Sequence, residues 1–250
     1  MKKILALVMV LAMVLALAAC GSAKPAEPSA PELPADDPTV KSEGVMTYAE
    51  YAAAALDSEV VVETYVQGKQ SWWDNKATFY TQDKDGAYFI YEMACSEAEY
   101  AKLTPGTKIK VTGYKSEWAG EVEIIDATYE IEDGNYVAPA TDVTDQLGKD
   151  TLADYQNRFV SFKGMTVEAY DETGAAFAYK NAEEKTDDLY FKVSKNGATY
   201  DFCVEFYLCG KDTDVYKAVE GLKVGDVIDV TGFLYWYNGA NLQATVVTVK

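Results

Sequence analysis

An internal repeat constrains the fold of this 250-residue chain more than any other feature. The segment Leu103–Tyr114 (LTPGTKIKVTGY) recurs 119 positions later as Leu222–Phe233 (LKVGDVIDVTGF). The same offset relates the tripeptide that begins at Trp118 (WAG) to the one that begins at Tyr237 (YNG). Each copy then enters a final predicted strand, at 121–131 in the first copy and at 240–249 in the second. A duplication of this length predicts two domains that share one fold.

The two copies also share an upstream hairpin and a helix. The hairpins are predicted by the turn dipeptides Asp85-Gly86 and Asn196-Gly197, each set between alternating apolar runs. Helical stretches follow at 96–103 and 213–222, before the last two strands. Five strands with one helix between the third and the fourth is the order of an OB-fold, a small Greek-key barrel.

The repeated motif Leu-x-x-Gly-x-x-Ile-x-Val-x-Gly and the segment Tyr80–Tyr91 carry a resemblance to a known family. The chain resembles bacterial surface lipoproteins with tandem OB-fold domains, and it is similar to OB modules of secreted and cell-surface proteins. The resemblance implies a mainly β chain with two tandem five-stranded OB-fold Greek-key barrels. The expected domains are 45–137 and 141–250. The second copy carries an insertion at 170–188, in which 175–179 is a candidate extra strand.

Lead-in segments are predicted before both barrels. Thr47 and Glu50 have the spacing of a capping box before a helix that contains Tyr51 and Leu56. The segment 142–155 is the corresponding lead-in of the second barrel.

The N-terminus has the pattern of a secretory signal peptide. Two lysines precede the apolar run 4–17, which is too short and wrongly flanked for a spanning helix. Cys20 follows Leu-Ala-Ala and resembles the lipobox cysteine that bacteria acylate. We therefore expect a signal peptide at 1–19 and a lipidated Cys20 with a proline-rich tether at 20–44, which place the protein on the extracytoplasmic face of a cell membrane. The alternative is a secreted protein cut near Ala19 with no lipid.

Composition argues against several function classes. The chain has 40 acidic and 22 basic residues, a net charge of −18, and no histidine. A protein that tracks a phosphate backbone needs cations, and Arg158 is the single arginine, so nucleic acid is an unfavoured partner. Without histidine the commonest general base and zinc ligand are missing. The segment Asp83–Gly86 departs from the EF-hand pattern at Ala87 and Ala94. We expect no enzyme activity, no cofactor and no metal.

Aromatic residues in the predicted loops are the candidate ligand-binding residues. OB-folds bind ligands across strands 2 and 3, between the 1–2 and 4–5 loops. In this chain those loops carry Trp72, Trp73, Trp118, Tyr235, Trp236, Tyr237 and Asn238. Flat rings stack on sugars or bases, and a neighbouring amide can bond hydroxyl groups. The alternative is that the rings cover the barrel ends or pack between the domains.

The leading functional hypothesis is therefore a non-catalytic surface protein that binds a glycan or an envelope protein through its barrel rims. The alternatives are a nucleic-acid-binding OB module and a structural spacer without a small ligand. Cys203 lies on the predicted strand 199–208, and Cys209 directly follows the last residue of that strand. If the strand continues, the two cysteines are about 20 Å apart, which is too far for a disulfide. With Cys95 they are expected to be small buried thiols.

Overall fold

The computed structural model describes residues 37–250, which belong to one compact unit. The predicted signal peptide, Cys20 and the tether up to residue 36 lie outside the described residues. Among residues 37–250 there is no helix with the length and apolarity needed to cross a membrane. The last part of the predicted tether contacts the first barrel, because Lys41 Nζ donates to the buried carboxylate of Asp83 at 2.6 Å.

The first barrel contains a lead-in helix, five strands and one short helix. In chain order they are α1 (Tyr48–Ala53), β1 (Glu59–Lys69), β2 (Lys76–Gln82), β3 (Ala87–Ala94), α2 (Glu97–Tyr100), β4 (Thr107–Trp118) and β5 (Glu121–Asn135). The strands close in the order β1-β2-β3-β5-β4. β3 and β5 are parallel, and the other pairs are antiparallel. This is the predicted OB-fold order.

The second barrel repeats this topology with two added strands. Its elements are β6 (Thr141–Asp142), β7 (Phe159–Glu168), β8 (Phe177–Asn181), β9 (Thr186–Lys195), β10 (Ala198–Val204), α3 (Asp214–Glu220), β11 (Val227–Trp236) and β12 (Ala240–Val249). The sheet order is β6-β7-β11-β12-β10-β9-β8, and a further β7–β9 pairing closes five of the strands into a ring. β8 lies in the predicted insertion. The prediction of two tandem five-stranded barrels, each with a helix between strands 3 and 4, is confirmed.

The repeated glycines mark the same irregularity in both copies. Gly113 lies where the β4–β5 register shifts, and Gly232 lies where the β11–β12 register shifts. A Cβ on Gly113 would lie 2.8 Å from the carbonyl oxygen of Ile125, and one on Gly232 would overlap the carbonyl oxygen of Gln243. Each barrel therefore bends at a bulge where the strands leave no room for a side chain.

The two predicted hairpin turns form in different ways. Asn196 and Gly197 both have positive φ, 54° and 82°, as a type I′ turn requires. In the first hairpin the Oδ1 atom of Asp83 accepts hydrogen bonds from the amides of Asp85 and Gly86, both at 2.7 Å. The calcium-like segment is thus a side-chain-stabilised turn, and the described residues contain no cluster of metal-ligand type.

The predicted lead-in segments differ in the two barrels. α1 begins at the capping box of Thr47 and Glu50 as expected, but it ends at Ala53, so Leu56 lies outside the helix. The lead-in at 142–155 instead contains two short 3-10 helices, Thr144–Gln146 and Asp150–Tyr155. Among the described residues, the lead-in of the first barrel therefore contains an α-helix, whereas that of the second contains only 3-10 turns.

The described cysteines, Cys95, Cys203 and Cys209, are buried free thiols. The strand predicted at 199–208 is too long, because β10 ends at Val204. The chain then turns, and the Cys209 amide donates to the carbonyl oxygen of Glu205 at 2.8 Å. This turn brings Leu208 to the cluster of rings between the barrels.

Candidate functional site

The two barrels meet along an aromatic contact, which we call the seam. Tyr80 of β2 stacks on Phe233 of β11, with centroids 4.5 Å apart and planes 21° apart. Phe89 of β3 meets Tyr235 edge to face at 5.3 Å. Strands 2 and 3 of the first barrel, which carry the usual OB ligand face, are therefore partly covered by the second barrel.

Hydrogen bonds across the seam fix the position of the second barrel. The Phe159 amide donates to Gln82 Oε1 at 2.8 Å. Asn157 Nδ2 donates to the carbonyl oxygen of Val122 at 3.0 Å. The guanidinium of Arg158 donates to the carbonyl oxygen of Asp85. The chain's single arginine thus serves the contact between the barrels.

The β4–β5 and β11–β12 hairpin tips also meet at the seam. Trp118 and Tyr237 lie with their ring centroids 5.3 Å apart. The Asn238 amide donates to the carbonyl oxygen of Ala119 at 2.7 Å. The Trp236 amide donates to Glu121 Oε2 at 2.8 Å. The seam therefore brings together five predicted site residues, Trp118, Tyr235, Trp236, Tyr237 and Asn238.

The other two predicted residues, Trp72 and Trp73, lie in the β1–β2 loop away from these tips. Trp72 is half-buried against the core of the first barrel, and its Nε1 donates to the carbonyl oxygen of Cys95 at 2.9 Å. Trp73 is 76% exposed. The backbones of Trp73 and Lys76 exchange two hydrogen bonds, of 2.9 and 3.0 Å, which hold the loop as a tight turn. The two adjacent tryptophans thus have different environments.

A cavity of about 500 Å³, the open groove, runs beside this loop. Its wall includes Gln70, Ser71, Trp72, Trp73, Tyr91 and Tyr207. Tyr207 comes from the second barrel and is held in place because its carbonyl oxygen accepts from the Ser71 amide at 2.8 Å. The volume lies in the range of small-molecule sites. The groove is completed only when both barrels are present.

The charges in the open groove are paired. Lys76 Nζ lies 2.6 Å from Glu92 Oε2. This hydrogen bond raises the pKa of Lys76. Among the described residues that line the groove, Lys76 is the basic one, so the lining offers no unpaired cation to a phosphate.

A second cavity, the seam chamber, adjoins the groove and encloses about 310 Å³. Gln70 and Tyr91 line both cavities. The rest of the chamber wall includes Phe89, Trp118, Tyr235 and Gln243. The hydroxyl of Tyr80 connects the side-chain amides of Gln70 and Gln243. It accepts a hydrogen bond from Gln70 Nε2 at 3.2 Å and donates one to Gln243 Oε1.

Two buried carboxyl groups of β5 lie at the seam. Glu121 is fully buried, and its Oε1 has no hydrogen-bond partner in the described chain. Glu123 is 8% exposed and lines the seam chamber. Burial raises the pKa of Glu123, and it raises the pKa of Glu121 well above the usual range. The chamber therefore contains an acidic group in an environment that disfavours its charge.

Sequence reasoning missed several residues of both cavities, among them Gln70, Tyr91, Tyr207 and Gln243. Tyr91 had a signal, because it follows Phe89 by two positions on β3 and therefore shares its outward face. Tyr207 had none. It lines the groove only because the chain turns after β10.

No family model matches the chain, and no curated protein matches it. Among solved structures it is similar to a murine DNA-binding protein bound to double-stranded DNA, at 10% identity, with a TM-score of 0.36 over 76% of this chain and 94% of that one. It is also similar to p202 HIN1 in complex with a 12-mer double-stranded DNA, at 10% identity, with a TM-score of 0.34 over 79% and 96% of the two chains. A deletion mutant of the single-stranded DNA-binding protein of Thermus aquaticus matches at 14% identity, with a TM-score of 0.29 over 77% and 82%.

Proposed function

We propose that this protein is a non-catalytic binding protein whose open groove takes a neutral, polyhydroxylated ligand such as a glycan. The observation that carries the proposal is a set of three exposed rings, Trp73, Tyr91 and Tyr207, around a cavity of about 500 Å³. Exposed flat rings offer stacking surface for the apolar face of a sugar. Amides and hydroxyls such as those of Gln70 and Ser71 supply hydrogen bonds that orient such a ligand.

The charge of the protein supports a neutral ligand over a nucleic acid. The chain carries a net charge of −18, and a surface of that sign repels polyanions at long range. Lys76 in the groove is paired with Glu92, and Arg158 is used at the seam. The similar solved structures include DNA-binding proteins, but their TM-scores are below 0.5. A nucleic-acid ligand therefore has to be judged from this chain's own charges, which disfavour it.

The alternative that the loop aromatics have only a structural role is favoured for those in the seam, but not for those that line the open groove. Trp236 packs against the core of the second barrel, and its amide is bonded to Glu121, which accounts for its position without a ligand. Trp73 has no comparable packing and stays 76% exposed. An envelope protein would dock on the same exposed rings, and a glycan is the ligand class that a groove of about 500 Å³ fits better.

The proposal places this binding module on the extracytoplasmic face of a membrane through a lipid on Cys20. The support is the sequence pattern around that cysteine. Expression in a bacterium fed a labelled fatty acid tests it directly. We expect label in the wild-type chain and none in Cys20→Ser, and label retained in Cys20→Ser would contradict lipidation at this residue.

The ligand class is tested with the full chain in non-ionic detergent on glycan and oligonucleotide arrays. Each hit is then titrated by tryptophan fluorescence. We expect a glycan hit whose affinity falls about tenfold in Trp73→Ala, the loss expected for one stacked ring. The control is Tyr114→Ala, which removes a ring that is 44% exposed on β4 and does not line the groove.

Two results would overturn the proposal. Equal loss of affinity in both variants would show that the groove is not the site. Binding to oligonucleotides alone, with an affinity that falls steeply with salt, would establish the nucleic-acid alternative.

A further inference from the structure

The seam chamber combines aromatic rings with one buried acid. β3 supplies Phe89 and Tyr91, and β11 of the second barrel supplies Tyr235. Trp118 at the end of β4 is the fourth ring. Glu123 lies on β5, which runs parallel to β3. Glu123 and Phe89 are direct partners in the register of these two strands, so their side chains share a face. The acid and the rings therefore line one cavity.

Glu123 has no counter-charge within the described residues. No side-chain hydrogen bond or ion pair joins its carboxyl group to another described residue, and burial is the single cause of its raised pKa. The described residues that line the chamber include no lysine or arginine. Burying an acidic group without a partner costs free energy. A cationic group bound in the chamber would offset this cost.

We infer that the seam chamber binds an organic ammonium cation, with Glu123 as its counter-ion and the surrounding rings as its walls. Ring faces attract cations through their quadrupoles, and aromatic cages of this composition are suited to methylated ammonium groups. A volume of about 310 Å³ accommodates a group of this size. The net charge of −18 raises the local concentration of cations. The inference concerns a site distinct from the open groove and does not depend on the glycan proposal.

Other small ligands fit the chamber less well. An anion would face the carboxyl group of Glu123 with no basic residue to balance it. A divalent metal ion prefers several oxygen ligands, usually with more than one carboxylate, and the chamber offers one carboxyl group beside two amides and two tyrosine hydroxyls. A neutral ligand would use the rings and leave the acid unpaired.

The experiment uses calorimetric titration of the full chain in non-ionic detergent with choline chloride. 3,3-Dimethylbutan-1-ol, which has the shape of choline without its charge, is the matched ligand control. n-Butylammonium tests whether a primary ammonium is also accepted. The variant is Glu123→Gln, which keeps the size of the side chain and removes the charge. Its control is Glu117→Gln, an exposed position on β4 outside the chamber.

We expect choline to bind at least tenfold more tightly than the neutral alcohol. Glu123→Gln should lower choline affinity about tenfold or more, as expected for loss of a charged partner, and Glu117→Gln should leave it unchanged. Binding of n-butylammonium as tight as that of choline supports the ammonium class and shows that the chamber does not require methylation of the nitrogen.

Equal affinity for choline and the neutral alcohol would overturn the inference. An equal loss of choline affinity in Glu123→Gln and Glu117→Gln would also overturn it. So would displacement of choline by calcium at constant ionic strength. If Glu123→Gln fails to fold, as judged by circular dichroism, Trp118→Leu replaces it, and unchanged choline affinity in that variant counts against the chamber. Glycan binding is scored separately through Trp73→Ala, so the two proposals fail independently.

Discussion

The two barrels share a fold but use the same repeat position in opposite ways. Tyr114 and Phe233 are equivalent residues, 119 positions apart. Tyr114 is 44% exposed on the first barrel, whereas Phe233 is 4% exposed and stacks on Tyr80 in the seam. The two copies of the repeat therefore retain the same barrel fold but differ in the residues on its outer surface. The second copy provides the surface that covers the first.

A second contrast lies one residue further along each strand. Lys115 is buried, and its Nζ donates to the carbonyl oxygens of Tyr51, Ala52 and Ala54 at 2.8–3.0 Å, at the end of α1. The equivalent Leu234 is buried in the apolar core of the second barrel. The lysine satisfies carbonyl groups that the end of an α-helix leaves unpaired. The second barrel has 3-10 helices at its lead-in, and there a leucine occupies the equivalent position.

The hairpin tips, in contrast, meet through equivalent residues. Trp118 corresponds to Tyr237, and their rings touch. Ala119 corresponds to Asn238, and they share a backbone hydrogen bond. The contact thus joins like positions of the two copies, in the manner of an isologous interface between identical subunits.

The largest predicted effect separates Phe233 from Tyr114. Phe233→Ala removes a buried ring from the seam and should lower the free energy of unfolding by about 3 kcal/mol. Tyr114→Ala should cost about 0.5 kcal/mol, because an exposed side chain loses little contact. Urea denaturation followed by tryptophan fluorescence measures both. A Phe233→Ala cost as small as that of Tyr114→Ala would mean that the barrels are not held together through this ring.

The next effect concerns pH and the turn after β10. Glu205 Oε2 accepts from the Leu208 amide at 2.6 Å, and burial raises the pKa of Glu205 to about 7. A carboxyl group with a raised pKa holds its proton better in the folded state. Its stabilising contribution is complete below the unfolded-state pKa of 4.5 and is lost as the pH rises through about 7. Burial also raises the pKa of Glu121 and of Glu123, which act in the same direction.

Stability should therefore fall between pH 5 and pH 7.5, by up to about 2 kcal/mol for Glu205. Glu205→Gln should flatten this part of the pH profile. Glu97→Gln, in the corresponding connection of the first barrel, controls for the loss of one negative charge. Parallel profiles for the wild type and Glu205→Gln, measured by thermal unfolding across this range, would remove Glu205 as the cause.

The smallest effect compares two equivalent glycines at the hairpin tips. Gly120 and Gly239 both have positive φ, 91° and 147°. A Cβ on Gly120 would lie 2.8 Å from Cδ1 of Trp236, whereas nothing lies within 4 Å of one on Gly239. Gly120→Ala should therefore cost about 1 kcal/mol more than Gly239→Ala, since both add backbone strain and only the first also displaces a ring. Equal costs, measured by thermal unfolding, would mean that Trp236 moves freely at the tip.

Local signals predicted most of the fold. The turn pair Asn196-Gly197, the capping box at Thr47 and the glycines of the repeat each have a short-range physical cause, and each appears where expected. The strand predicted at 199–208 was too long, because apolar residues continue through the turn after Val204. Alternation alone cannot distinguish a buried turn from a longer strand.

The candidate site was less predictable. The prediction that the loop aromatics bind a ligand remains a prediction, and the structure divides them between the seam and the groove. Trp73 and Tyr207 line one groove although they lie in different barrels. No spacing rule connects a β1–β2 loop to a turn of the other domain. Such a groove depends on how two finished barrels pack.

The sequence by itself determined two copies of one barrel, the hairpins, the capped helix and the acidic charge, because each follows from periodicity, turn chemistry or composition within a short window. The packing of Phe233 on Tyr80, the meeting of the hairpin tips and the position of Glu123 in a ring of aromatics were decided only by the tertiary structure. The first two features depend on contacts between residues more than a hundred positions apart, and the third needs Tyr235 of the other barrel to complete the ring of aromatics. Their free energy comes from burying two surfaces against each other, which no local pattern encodes.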